Sequence, residues 1–199
     1  VGYGSDIGDQ QRIISHEYYD IAKAGRIKSI SQGGITTDIA YKQLDKSINP
    51  GLYDNVSQLS YPFVEINQST GMYVVSQLTQ STTSDKKLKQ DFRYRGLTSN
   101  ILGRGLVGFR KTARSSWYAD GFENIKIWSG AEMDPLFDGL LVKEWGIKTN
   151  DESKIFPADI SENNTQLLSF KSTNYKIDKL LNGQIMTTIA DSDKPKIVT

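Results

Sequence analysis

The sequence predicts an all-β protein, built of antiparallel strands in a meander with few or no helices. Three observations carry this. Ile, Val, Thr, Tyr and Phe recur in short runs that alternate with polar residues, the two-residue period of a half-buried strand. These runs are cut by Gly, Asn, Asp and Pro, which turns require. Helical periodicity is scarce throughout.

Taken in order, "GRIKSIS" and "GITTDIAY" are the first two strand runs. In the second, Ile35, Thr37, Ile39 and Tyr41 share one face, and Thr36, Asp38 and Ala40 the other. Gly33-Gly34 near their junction marks a hairpin. "GMYVVSQLTQ" places Met72, Val74 and Leu78 opposite Tyr73 and Val75, and "KLKQDFRYRG" alternates Leu88, Gln90, Phe92 and Tyr94 with charged neighbours. "NIKIWSG", "GLLVKEWGIKT", "QLLSFKSTNYKI" and "GQIMTTIA" are the later strand candidates. Asn49-Pro50-Gly51, Ser69-Thr70-Gly71, Asp120-Gly121, Asp138-Gly139 and Asn182-Gly183 supply turns. Two helical pieces are open: a start in "HEYYDIAKA" and two turns in "KQLDKSI". Residues 150–165, the most polar stretch, read as a long loop within a single β-rich region spanning 1–199.

With 24 basic and 23 acidic residues the net charge is +1, so no clustered excess of positive charge points to nucleic acid. The absence of cysteine removes disulfides, thiolate catalysis and thiolate zinc sites. No apolar run is long enough to span a membrane as a helix. The chain opens on "VGYGSDIGDQ" without a charged-then-apolar leader. It reads as a piece of a longer protein, with any targeting signal outside the piece.

Gly103, Gly105 and Gly108 in "GRGLVGFRK" spell the spacing of a dinucleotide fingerprint. That fingerprint needs a strand before the glycines and a helix after them. Phe109, Ala113 and Trp117 fall four apart, and Glu123 lies downstream where a ribose carboxylate would. The preceding strand "TSNIL" is short, however, and no alternation of strands and helices surrounds it. A kinase loop lacks its His-Arg-Asp partner, and a Walker loop its Lys-Ser/Thr. The glycines therefore read as a bent strand, with Val107, Phe109 and Lys111 on one face and Leu106, Gly108 and Arg110 on the other. Arg110 is expected to reach water.

"FRYRGLTSNILGRGLVGFRK" resembles the signature of the Rhs/YD-repeat superfamily. That superfamily includes the B component of bacterial Tc toxins and the Salmonella-plasmid-virulence-type proteins. Phe92, Tyr94, Gly103, Arg104, Gly105, Gly108, Phe109 and Arg110 match the pattern in order. "SYPFVEINQSTGMYVVSQLT" is similar to the strand pair that precedes it in the family. Asp134 to Gly139 loosely matches a later turn. "YYDIAKAGRIKSISQGGITTDIAY" resembles a YD repeat but lacks the Tyr-Asp pair after its second strand. The resemblance covers about residues 17–145. It implies a YD-repeat-like, large curved sheet that belongs to a hollow shell around a toxic C-terminal polypeptide, in an exported or cell-surface bacterial protein. In that setting Arg104 reaches carbonyls or a carboxylate and Phe109 packs. The partners would be other parts of the same polypeptide or toxin complex.

Other constellations are weaker. His16, Glu17 and Asp20 lack the second His of a zincin helix. Asp134, Asp138, Asp151, Glu152, Asp159, Glu162, Asp191 and Asp193 are spread through loops, with nothing to select a hydrolytic pair. Asp191 and Asp193 do not complete a calcium loop. Trp117, Trp128, Trp145 and ten Tyr could stack on sugars, though sheet cores are their commoner place. The sequons at Asn55, Asn67 and Asn163 are incidental in a bacterial protein. The expectation is a non-enzymatic structural segment without cofactor, metal or nucleic acid. A β-domain that binds glycans or a protein partner is the alternative.

Overall fold

The alternating runs form strands in the computed structural model, which describes residues 25–56, 59–81, 86–181, 184–189 and 196–198. His16, Glu17, Asp20 and the rest of "HEYYDIAKA" lie outside the described residues, as do Asn182-Gly183, Asp191 and Asp193. The strands are β1 (Ser29–Gln32), β2 (Ile35–Asp45), β3 (Tyr53–Asp54), β4 (Phe63–Glu65), β5 (Gln68–Ser81), β6 (Lys87–Asn100) and β7 (Gly105–Ser115). They continue as β8 (Tyr118–Ala119), β9 (Ile127–Asp134), β10 (Leu140–Lys148), β11 (Leu167–Ser172), β12 (Tyr175–Leu181), β13 (Gln184–Ile189) and β14 (Lys196–Val198). The helical pieces among the described residues are 3-10 turns of three residues each. No helix among the described residues is long and apolar enough to cross a membrane.

One large open sheet runs β1-β2-β5-β6-β7-β9-β10-β11-β14, and β12 and β13 pair separately as a hairpin. The sheet is antiparallel along this path, and Gly33-Gly34 closes its first hairpin between Gln32 and Ile35. The two helical turns expected in "KQLDKSI" do not form. β2 runs through Asp45, because Leu44 is fully buried there, and the Asp45 carboxylate then folds the chain back. Its Oδ1 accepts from Ser47 N at 2.7 Å and Ser47 Oγ at 2.6 Å, a side-chain-closed turn that competes with helix.

Strand β6 is the spine. Residues 88–89 lie between β5 and β8, residues 94–95 between β3 and β7, and residues 98–100 between β4 and β7. Being paired on both edges along half of its length, β6 carries the buried run Leu97-Thr98.

Two cores result. In the first, registered pairing aligns Ala113, Gly130, Trp145 and Phe170 in one row, and Ser115, Trp128, Ile147 and Leu167 in the next. Small residues in β7 and β9 make room for the indole: a Cβ on Gly130 would land inside the Trp145 ring. This face is covered by residues 149–166. They are a loop, as the polar sequence indicates, yet Ile155 is 1% and Ile160 5% exposed. Phe156 meets Trp145 edge-on, with ring centroids 6.1 Å apart. Trp145 Nε1 donates to Ile155 O at 3.0 Å and Trp128 Nε1 to Thr149 O at 3.1 Å. The strap is thus held by its own backbone carbonyls as well as by apolar burial. In the second core Leu44, Tyr53 and Leu97 are buried, with Ile66, Met72, Val74, Tyr94 and Phe109 packed against them.

Candidate functional site

The sequence-selected residues converge on the β6–β7 hairpin. Asn100 and Gly105 pair at its end, and residues 101–104 make the turn. Asn100 Oδ1 accepts from Leu102 N at 2.8 Å, and Ile101 N donates to Pro62 O at 3.0 Å. Gly103 and Gly105 both sit in or beside this turn. No helix follows Gly108: residues 105–115 are one strand, so the glycine spacing does not build a helix N-terminus for a phosphate.

Gly108 is placed at a bulge. Thr98 pairs with Gly108 and Ser99 with Leu106, which leaves Val107 as the extra residue. The backbone at Gly108 has φ +131°, a conformation that L side chains rarely adopt, while no atom lies within 4 Å of where a Cβ would stand. Conformation therefore demands glycine at this position, and crowding does not. The pleat is altered here and at Gly96, where φ is +63°. Strict alternation assigns Tyr94 and Phe109 to opposite faces, since Tyr94 pairs with Thr112 and Leu97 with Phe109. Their rings nevertheless meet in a tilted contact, with centroids 4.7 Å apart. Phe109 also meets Tyr53 at 6.3 Å, edge to face. Tyr94 donates to Val75 O at 2.9 Å, and burial pushes its hydroxyl up to about 12. Tyr53 donates to Ile66 O at 2.5 Å and accepts from Leu97 N at 3.1 Å.

Arg104 pairs with Asp138 in the Pro135–Gly139 turn, joining the hairpin tip to the β9–β10 connection. Both side chains are more than half exposed, so this pair contributes little to stability. Arg110 is half-buried, so it keeps contact with water as the sequence predicts, but Nε and Nη1 are buried without a hydrogen-bond partner. Its stem crosses Gly96, where a Cβ would lie 3.1 Å from Arg110 Cβ and 2.8 Å from Val56 Cγ2. Lacking a side chain, Gly96 lets the arginine lie down on the sheet. Beside it is a cleft of about 140 Å³ bordered by Thr98, Val107, Gly108, Met133, Pro135 and Gly139.

A second polar group escaped the sequence reading. Asp91, 6% exposed, accepts from Gln77 Nε2 at 2.8 Å, Tyr118 Oη at 2.9 Å and Lys126 Nζ at 3.0 Å. Burial pushes its carboxyl up, but these hydrogen bonds and the Lys126 charge outweigh burial and hold it below the usual range. Tyr118 is pushed up by burial and by donating to Asp91. Arg93 donates to Glu152 twice, at 2.8 and 2.6 Å; burial opposes its charge, but Glu152 keeps the guanidinium's pKa raised. The one visible signal was an acidic residue inside the strand run "KQDFRYRG"; its partners lie 14, 27 and 35 residues away.

Asp134 caps the turn at Leu136 N and Asp151 the turn at Ser153 N, so these two carboxylates have local backbone roles. Among the described residues no group of three or more His, Cys, Asp or Glu gathers as a metal site. Trp128 and Trp145 are 1% and 3% exposed, which removes them from any sugar-stacking surface. No family model, curated protein or solved structure matches the chain.

Proposed function

We propose that the chain is a structural β-sheet segment of an exported or cell-surface bacterial protein of the Rhs/YD-repeat kind. It contributes part of a shell around a toxic C-terminal polypeptide. The observation that supports this most is the first edge of the sheet. β1 is exposed at every position, and Ile27, Ile30 and Ile35 are 60%, 51% and 42% exposed. An edge with exposed apolar side chains and no further strand among the described residues is a liability for an isolated domain. It suits a sheet that continues into further strands of a larger polypeptide. The matched hairpin residues support the same reading, because they shape and brace a strand pair and present no reacting group.

Hydrogen exchange tests it. In the 199-residue chain alone, amides of β1, residues 29–32, should exchange quickly, because nothing among the described residues covers its outer edge. In the complete polypeptide they should be protected. Equally fast exchange in the complete polypeptide would remove the shell reading.

A further inference from the structure

We propose that Arg110 and the cleft beside it form a binding site for a single carboxylate. Three observations carry this. First, Nε and Nη1 of the half-buried Arg110 are withdrawn from water and have no hydrogen-bond partner among the described residues. Two buried donors without an acceptor cost the fold free energy, and an acceptor brought by a ligand would satisfy them. Second, carboxylates on the surrounding segments are engaged: Asp138 with Arg104, Glu132 with Lys111, Glu152 with Arg93, and Glu65 with the Val56 backbone N–H. Third, the space fits. The cleft of about 140 Å³ suits a carboxylate on a short apolar stem, lined by Val107, Phe109, Met133 and Pro135. Gly108 and Gly139 leave backbone uncovered along its wall.

The charge balance selects the class. One arginine offers a planar fork that matches one carboxylate. Asp138 also borders the cleft and disfavours a phosphate dianion, which would bring a second negative charge without a second free cation. The carboxylate comes from a free small acid or from a Glu or Asp side chain of a protein segment. This inference does not depend on the shell reading, since either source satisfies the same arginine.

The test is thermal unfolding of the 199-residue chain in about 100 mM sodium acetate against chloride at equal ionic strength. A ligand held only by the folded state raises Tm by a few degrees at about ten times its Kd. Arg110→Met is the decisive variant. Removing the two unpaired buried donors while keeping the stem should raise Tm in chloride and abolish the acetate shift. Arg110→Lys keeps a charge without the fork and should show a smaller acetate shift than the parent. If Arg110→Met lowers Tm, or if acetate acts equally on parent and variant or on neither, the proposal is wrong. A capped Gly-Glu-Gly tripeptide separates the sources. Binding about tenfold tighter than acetate, about 1.4 kcal/mol, assigns the carboxylate to a protein segment. Equal or weaker binding assigns it to a free acid, and both results keep the site.

Discussion

The strap-covered core and the signature hairpin are built on opposite terms. Residues 149–166 carry almost no recognisable pattern, yet they seal Trp128, Trp145 and Ile147, which are at most 3% exposed. The hairpin carries the one specific motif, yet Leu102, Leu106 and Arg104 at its tip are more than half exposed. Motif specificity and mechanical weight thus fall in different places. Where backbone conformation is unusual, only certain residues fit, and a pattern results. Where side chains merely need to be large and apolar, many sequences serve.

Gly130→Val should break the covered core most severely. The new side chain claims the space of the Trp145 indole, so the loss approaches that of deleting the indole, about 3–5 kcal/mol. Urea unfolding should find little folded protein; a midpoint near the parent's would mean that β9 and β10 slide apart at no cost.

Phe109→Ala comes next, at about 2 kcal/mol. The ring is only half-buried between Tyr53 and Tyr94, so it loses less than a fully enclosed phenylalanine. Gly108→Val should cost about 1–3 kcal/mol, all of it conformational strain at φ +131°. Gly108→Ala should cost nearly as much, because the space is open and the backbone is the obstacle. If alanine were tolerated and valine not, crowding would be the cause instead.

Glu152→Gln should loosen the strap by about 1 kcal/mol, the share of a charge-assisted pair half in water. Trp fluorescence would follow it, since both buried indoles donate to strap-region carbonyls. Arg104→Ala should change Tm least, as its pair with Asp138 is solvent-exposed.

The pH dependence has a fixed sign. Asp91 is held below its unfolded value, so its contribution is present above the ordinary carboxylate range. It is lost as pH falls through the depressed folded value. Asp91→Asn should therefore flatten the acid limb of a Tm-against-pH curve. An unchanged acid limb would place the acid sensitivity elsewhere.

Much of the architecture was legible. Period-two alternation identified β2, β5, β6 and β7, and turn chemistry at Gly33-Gly34 and Asp138-Gly139 identified two connections. The glycine spacing read correctly as strand, because no alternation of strands and helices surrounded it. "KQLDKSI" failed because Leu44 is drawn into a core that the local pattern does not show. Residues 150–165 were legible as loop but not as a lid, since Ile155, Phe156 and Ile160 have no period.

What the sequence determined by itself is therefore local: which residues can pleat, which can turn, and where glycine is needed. Tertiary structure alone decided that Tyr94 meets Phe109 across a disturbed pleat, and that Asp91 gathers partners from three other segments. It also decided that Arg110 lies across Gly96 with Nε and Nη1 buried and unpartnered. The physical reason is range. A two-residue period reports which side chains share a face, whereas burial and charge pairing depend on which distant segment comes to cover that face.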